Sequence, residues 1–224
     1  MEQLVDNSYF MHNALPAPLL TGPSAAELVA ALRDSRTLRV LHLCRAVDEH
    51  SGMESRVAFL QLLHSLAGHP TLQELSVRDN RCAIQDEAFR AAFGAALGRL
   101  VSTSPTDLWV IDASFCRLRP AGVAGLFSAL PHATSVRCLV INGSRLPAQF
   151  VRDALLPCVR ANASLRSIVY DEPDSDDDSN AESDEEEDKA KKHARDKLRS
   201  ALGEVSALLR ARGAGEEPDV SEPV

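Results

Sequence analysis

An α/β solenoid of about six strand–helix repeats sharing one parallel sheet, followed by an acidic linker and a C-terminal amphipathic helix, is the fold class that the sequence predicts. Three observations carry it. A nine-residue apolar pattern recurs five times, the residues between its copies repeat at helical spacing, and the composition changes abruptly after Tyr170.

The pattern is plainest in TLQELSVRDN, residues 71–80, where Leu72, Leu75, Val77 and Asn80 mark its positions. TLRVLHLCRA (37–46), DLWVIDASFC (107–116), SVRCLVINGS (135–144) and SLRSIVYDEP (164–173) follow the same spacing. The leading residues Leu38, Leu72, Leu108, Val136 and Leu165 lie 34, 36, 28 and 29 apart, long enough for a short strand and a full helix per unit. A single such unit cannot bury its apolar side, so consecutive units must stack and share a core.

Each element has its own support. Phe10 lies 28 residues upstream of Leu38, with Leu15 and Leu20 in register after it, so residues 9–37 should form a degenerate N-terminal cap repeat. Its helix, 24–34, starts at Ser24 with Glu27 three residues on and places Leu28, Val29 and Leu32 on one face. Residues 54–67 align Val57, Leu60, Leu63 and Leu66, and residues 85–101 align Phe89, Phe93, Leu97 and Leu100. Pro120 and Pro147 suit the first turns of the next two helices. The extra residues of the longer repeats, around 47–53 and within 85–103, should be surface insertions. Asn80 alone supplies the asparagine that satisfies backbone groups at the turn after the strand; Ala46, Cys116, Ser144 and Pro173 replace it elsewhere. Cys116 is a usual substitute, whereas Ala46 and Pro173 leave those bonds to be met otherwise.

The boundaries are 1–170 for the repeat domain, 171–188 for the linker, 189–212 for the helix and 213–224 for a disordered tail. The net charge of −8 hides an asymmetry: residues 171–188 hold twelve Asp and Glu and no basic residue, leaving the remainder near +4. Such a run cannot offset the entropy lost on folding, so the linker should be disordered. Ser175, Ser179 and Ser183 each have an acidic residue three positions on, the preference of acidophilic kinases, and are candidate phosphorylation sites. From Lys189 onward, Ala194, Leu198, Ala201, Leu202, Val205 and Leu208 or Leu209 share one helical face, suited to capping the last repeat. Every lysine lies in this stretch.

The five scattered cysteines include no C-x-x-C pair, which argues for reduced thiols in a cytoplasmic or nuclear protein. No signal segment or membrane-length apolar run is present, so the triplets at Asn142 and Asn162 read as accidental glycosylation motifs. No cofactor, metal or small-molecule substrate is expected. The acid block and scarcity of interleaved aromatics disfavour nucleic acid.

On these motifs, residues 10–170 resemble the ribonuclease-inhibitor-like class of leucine-rich repeats. The resemblance implies a horseshoe with a concave parallel sheet and a protein partner of unspecified identity. The outward strand positions on that face include His42, Glu74, Ser76, Arg78, Asp112 and Asn142, with Trp109 adjoining them as an anchor. His42, Ser76 and Asp112 share a row, but Ser76 lies between the other two and no donor-rich turn supports a catalytic triad, so the row reads as exposed polar residues. The expectation is a non-enzymatic interaction module binding through the concave face and tuned by its acidic tail. The alternatives are a GTPase regulator resembling the Ran GTPase activator and an actin regulator resembling tropomodulin.

Overall fold

The computed structural model describes residues 25–48, 50–81, 86–103, 107–170 and 185–213. Five strands, β1 (Val40–His42), β2 (Glu74–Ser76), β3 (Val110–Asp112), β4 (Cys138–Val140) and β5 (Ser167–Val169), form one parallel sheet in sequence order. Equivalent repeat positions pair directly, as in Leu41, Leu75, Ile111, Leu139 and Ile168. Five repeats thus stand in register. The strand expected within the cap repeat lies outside the described residues.

Helices α1 (Ala25–Asp34), α2 (Met53–Ser65), α3 (Glu87–Thr103) and α4 (Arg119–Ala129) alternate with the strands. Between helices and sheet lies a core in which Leu72, Leu75 and Val77 and their counterparts Leu108, Ile111, Ala113, Val136, Leu139 and Ile141 are fully buried. The added residues lengthen α3 without interrupting the sheet. α1 buries no residue completely, in keeping with its place at the end of the stack.

Asn80 shows how the turns close. Its amide donates to the carbonyls of Leu43 and Val77 at 2.7 and 2.6 Å, while its Oδ1 accepts the Val47 N–H at 2.9 Å. The turn at Ala46 is therefore served from the next repeat. The Cys116 thiol takes up the Val77 carbonyl at 3.0 Å, continuing the series with a weaker donor.

A second set of polar anchors lies on the entry side of the strands. The Nδ1 of His69 accepts the N–H of Leu72 at 3.1 Å, and its Nε2 meets the Leu32 carbonyl at 3.0 Å. Asn162 does the same work near β5, accepting from Leu165 N and donating to the Leu130 and Ala133 carbonyls. Completely buried, Asn162 is not accessible for glycosylation in the folded chain. Buried amides need such partners.

α3 and α4 approach backbone to backbone. Gly94 and Gly98 on one face Gly122 and Gly125 on the other, so a Cβ on Gly98 would stand 2.4 Å from the Gly125 carbonyl oxygen. The last repeat's helix is irregular: α5 (Ala148–Phe150) leads into a π turn (Val151–Leu155) and then α6 (Leu156–Ala161). Pro157 has no N–H to donate to the carbonyl four residues earlier, and a widened turn just before it accommodates that loss.

α7 (Glu185–Gly213) begins four residues before the expected start at 189, so Glu185, Glu186, Glu187 and Asp188 belong to the helix and not to the linker. Leu198, Ala201, Val205 and Leu209 are buried against the last repeat, and Arg212 donates to the Val159 and Arg160 carbonyls at the end of α6. Ala194 is exposed, as are Lys189, Lys192 and Lys197. No helix of the described residues is long and apolar enough to cross a membrane.

Candidate protein-interaction surface

The predicted rows exist, but their polarity is more internal than expected. His42, Ser76, Asp112, Val140 and Val169 align across the sheet, as do Val40, Glu74, Val110, Cys138 and Ser167. Ser76 and Asp112 are only 2% and 6% exposed, which corrects the reading of this row as exposed polar residues. The Ser76 hydroxyl donates to Asp112 Oδ2 at 3.1 Å and lies 3.5 Å from the Cys44 sulfur, while Asp112 Oδ1 accepts from the Ser114 N–H and hydroxyl. Its donors draw the carboxylate down onto the sheet. Burial above all, with the nearby Asp112 charge, leaves the Cys44 thiol with a raised pKa against the opposing pull of the Ser76 contact.

His42, Glu74, Arg78 and Asn142 remain partly accessible on this face. Trp109 is 42% exposed but stands one residue before β3, at the entry edge of the sheet, with its N–H on the Gln73 carbonyl at 2.9 Å. It neighbours Arg137 across the ladder, because Arg137 N–H donates to the Trp109 carbonyl. Ser175, Ser179 and Ser183 lie outside the described residues.

The structure adds a residue the sequence did not mark. Phe115 is 39% exposed in the turn after β3, and the Arg78 guanidinium sits 4.8 Å from its ring centroid. A cation over a ring face is favourable and keeps both groups oriented. On the same exit side, Asp79 pairs with Arg45 at 2.6 Å and Arg81 at 2.7 Å. Burial pushes the Asp79 carboxyl up, but the bonds from Arg81 and Arg45 outweigh it and hold the group below the usual carboxylate range. Among the described residues no group of three or more acidic, histidine or cysteine side chains could hold a metal ion.

No family model and no curated protein matches the sequence. Solved structures do. The tropomodulin C-terminal domain of Caenorhabditis elegans is 18% identical with a TM-score of 0.52, covering 86% of this chain and 99% of that one. Leiomodin-1 Actin-Binding Site 2 is 11% identical with a TM-score of 0.52, covering 85% and 94%. The fold is of the leucine-rich-repeat type. At these identities the likeness is one of architecture, and it spans nearly the whole of each neighbour.

Proposed function

We propose that this chain is a non-enzymatic protein-binding module of the tropomodulin-like kind, with actin as its partner. The observation that carries the reading is the likeness over 85% of the chain to a domain described as an actin-binding site. The helix α7 packed on the last repeat fits a short repeat domain closed at its end. In this reading the sheet is the concave face of a horseshoe of about six repeats, residues 9–37 forming the first. His42, Glu74, Arg78 and Asn142 make the polar contacts, and Trp109 is an anchor at the edge.

Co-sedimentation of the purified full chain with actin filaments, paired with monomeric actin binding by fluorescence, tests the proposal. Saturable binding in either format supports it. Absence of binding in both would remove actin, and with it the tropomodulin-like reading.

A further inference from the structure

Asn142-Gly143 is the only place in the chain where glycine follows asparagine. Asparagine is a thermolabile residue, because the backbone nitrogen after it can attack its side-chain amide and close a succinimide ring. A side chain on the following residue hinders that attack, and glycine has none.

The structure separates Asn142 from the other two asparagines among the described residues. Asn80 and Asn162 are completely buried, and each amide both donates to and accepts from backbone groups. Asn142 lies partly accessible in the turn after β4, and its side chain makes no hydrogen bond among the described residues. Its Oδ1 is enclosed without a donor, an unfavourable state. Loss of this amide therefore costs the fold no bond.

The attacking nitrogen is also distinctive. In three preceding repeats the N–H at this turn position donates onward: Arg45 to the Arg78 carbonyl at 3.2 Å, Asp79 to Ser114 at 2.9 Å and Phe115 to Asn142 at 2.7 Å. Gly143 holds the same position with φ 72°, and its N–H has no acceptor among the described residues; residue 171, the next in the series, lies outside them. Packing fixes the glycine here. A Cβ on it would stand 3.2 Å from the Phe115 ring and 3.3 Å from the Phe115 Cα, in a backbone region that other residues enter with strain. The reactive pair is thus built into the turn.

We propose that Asn142 is a site of spontaneous deamidation, which places a carboxylate on the sheet face of the protein. The Gly143 nitrogen forms a bond to Asn142 Cγ, the Cγ–Nδ2 bond breaks, and Nδ2 leaves as ammonia with the proton of the Gly143 N–H. Water then opens the succinimide at either carbonyl. Opening at Cγ leaves aspartate; opening at the backbone carbonyl leaves isoaspartate, in which the main chain runs through the former side chain. Asn142 follows Val140, the partner of Asp112 on β4, by two residues, so either product adds negative charge to the face that already carries the Asp112 carboxylate. Isoaspartate also displaces the carbonyl that accepts the Phe115 N–H. In the binding reading above Asn142 is a polar contact, so its conversion is a one-way change of that surface; the chemistry itself depends neither on that reading nor on actin.

The test ages the folded full chain in neutral and in mildly alkaline buffer and follows it by peptide mass spectrometry, with an isoaspartate-specific methyltransferase to count the rearranged product. Deamidation at Asn142 should run at least about tenfold faster than at Asn162, a barrier difference of about 1.4 kcal/mol. It should quicken in the alkaline buffer, because the attacking nitrogen must give up its proton. Asn142→Gln keeps an amide on a longer side chain that closes a ring far more slowly, and should stay unmodified over the same period, with thermal unfolding as the check on folding. Retention of the Asn142 amide for as long as that of Asn162, or its loss in denaturant alone, overturns the proposal. So does equal loss at Asn80, Asn142 and Asn162, which would report unfolding of the whole chain. Deamidation at Asn142 in a chain that binds no actin, fresh or aged, upholds the site and removes actin alone.

Discussion

Gly94 and Gly122 bring α3 and α4 so close that a Cβ built on Gly94 would fall 1.6 Å from the Gly122 carbonyl oxygen. No rotamer change relieves a clash with backbone, so the helices themselves would have to part. Gly94→Ala should therefore destabilise the protein by about 3 kcal/mol or more, as overpacking against fixed atoms does. Gly203→Ala is the internal contrast: nothing lies within 4 Å of the added methyl on the exposed side of α7. It should raise stability by about 0.5–1 kcal/mol. Urea unfolding of the two variants checks both signs.

Asn80 and Ser144 occupy the same repeat position with opposite consequences. Asn80→Ala strands the Val47 N–H and the Leu43 carbonyl in a fully buried turn and leaves the Val77 carbonyl to the Cys116 thiol alone, and should cost about 2–4 kcal/mol. The Ser144 hydroxyl is buried without a hydrogen-bond partner, so Ser144→Ala should leave stability unchanged or improve it. Equal losses in the two variants would contradict the assignment of the turn bonds to Asn80.

The ion pairs around Asp79 should be acid-sensitive. Asp79 has a carboxyl lowered in the folded state, as does Asp48 through its bonds from Ser51, despite opposing burial. A folded pKa below the unfolded one contributes stability that is present above about pH 4 and is lost as pH falls through the folded value. Asp79→Asn should remove about 0.5–1 kcal/mol at neutral pH, because both arginine partners are substantially exposed. It should also flatten the decline between about pH 4 and 2, measured as the thermal midpoint at each pH.

The four thiols among the described residues should be inert while the chain is folded. Burial raises Cys44 and Cys138 and pushes Cys158 up to about 12, so the nucleophilic thiolate is scarce at neutral pH. Cys116 is buried with its sulfur on the Val77 carbonyl. Peptide mass spectrometry after brief iodoacetamide treatment should find these four unlabelled in buffer and labelled in denaturant. Labelling of Cys158 in the native chain would mean that α6 and α7 separate readily.

The spacing of apolar residues made the strands legible, down to the residues that pair across the sheet, because a period of two admits one inward-facing set. Asn80 was legible for the same reason: its place in the repeat dictates which backbone groups it can reach. The burial of Ser76 and Asp112 was not, since it depends on side chains from neighbouring repeats bonding to one another. Nor was the glycine contact between α3 and α4, where the deciding quantity is a distance between residues about thirty apart in the chain. The exposure of Phe115 was not legible either, since it depends on how the turn after β3 stands beside Arg78 of the neighbouring repeat. Arg45 and Phe115 hold a left-handed conformation that their residue types do not advertise.

The lysine content of α7 has a practical bearing on how the protein can be handled. Lys189, Lys191, Lys192 and Lys197 are the chain's entire supply of lysine, and all four belong to that helix. Apart from the chain's own α-amino group, amine-directed chemistry therefore has a single address. Coupling to a sensor through lysine would anchor the molecules by this helix, and enzymes that tag lysine would leave the repeats themselves unmarked.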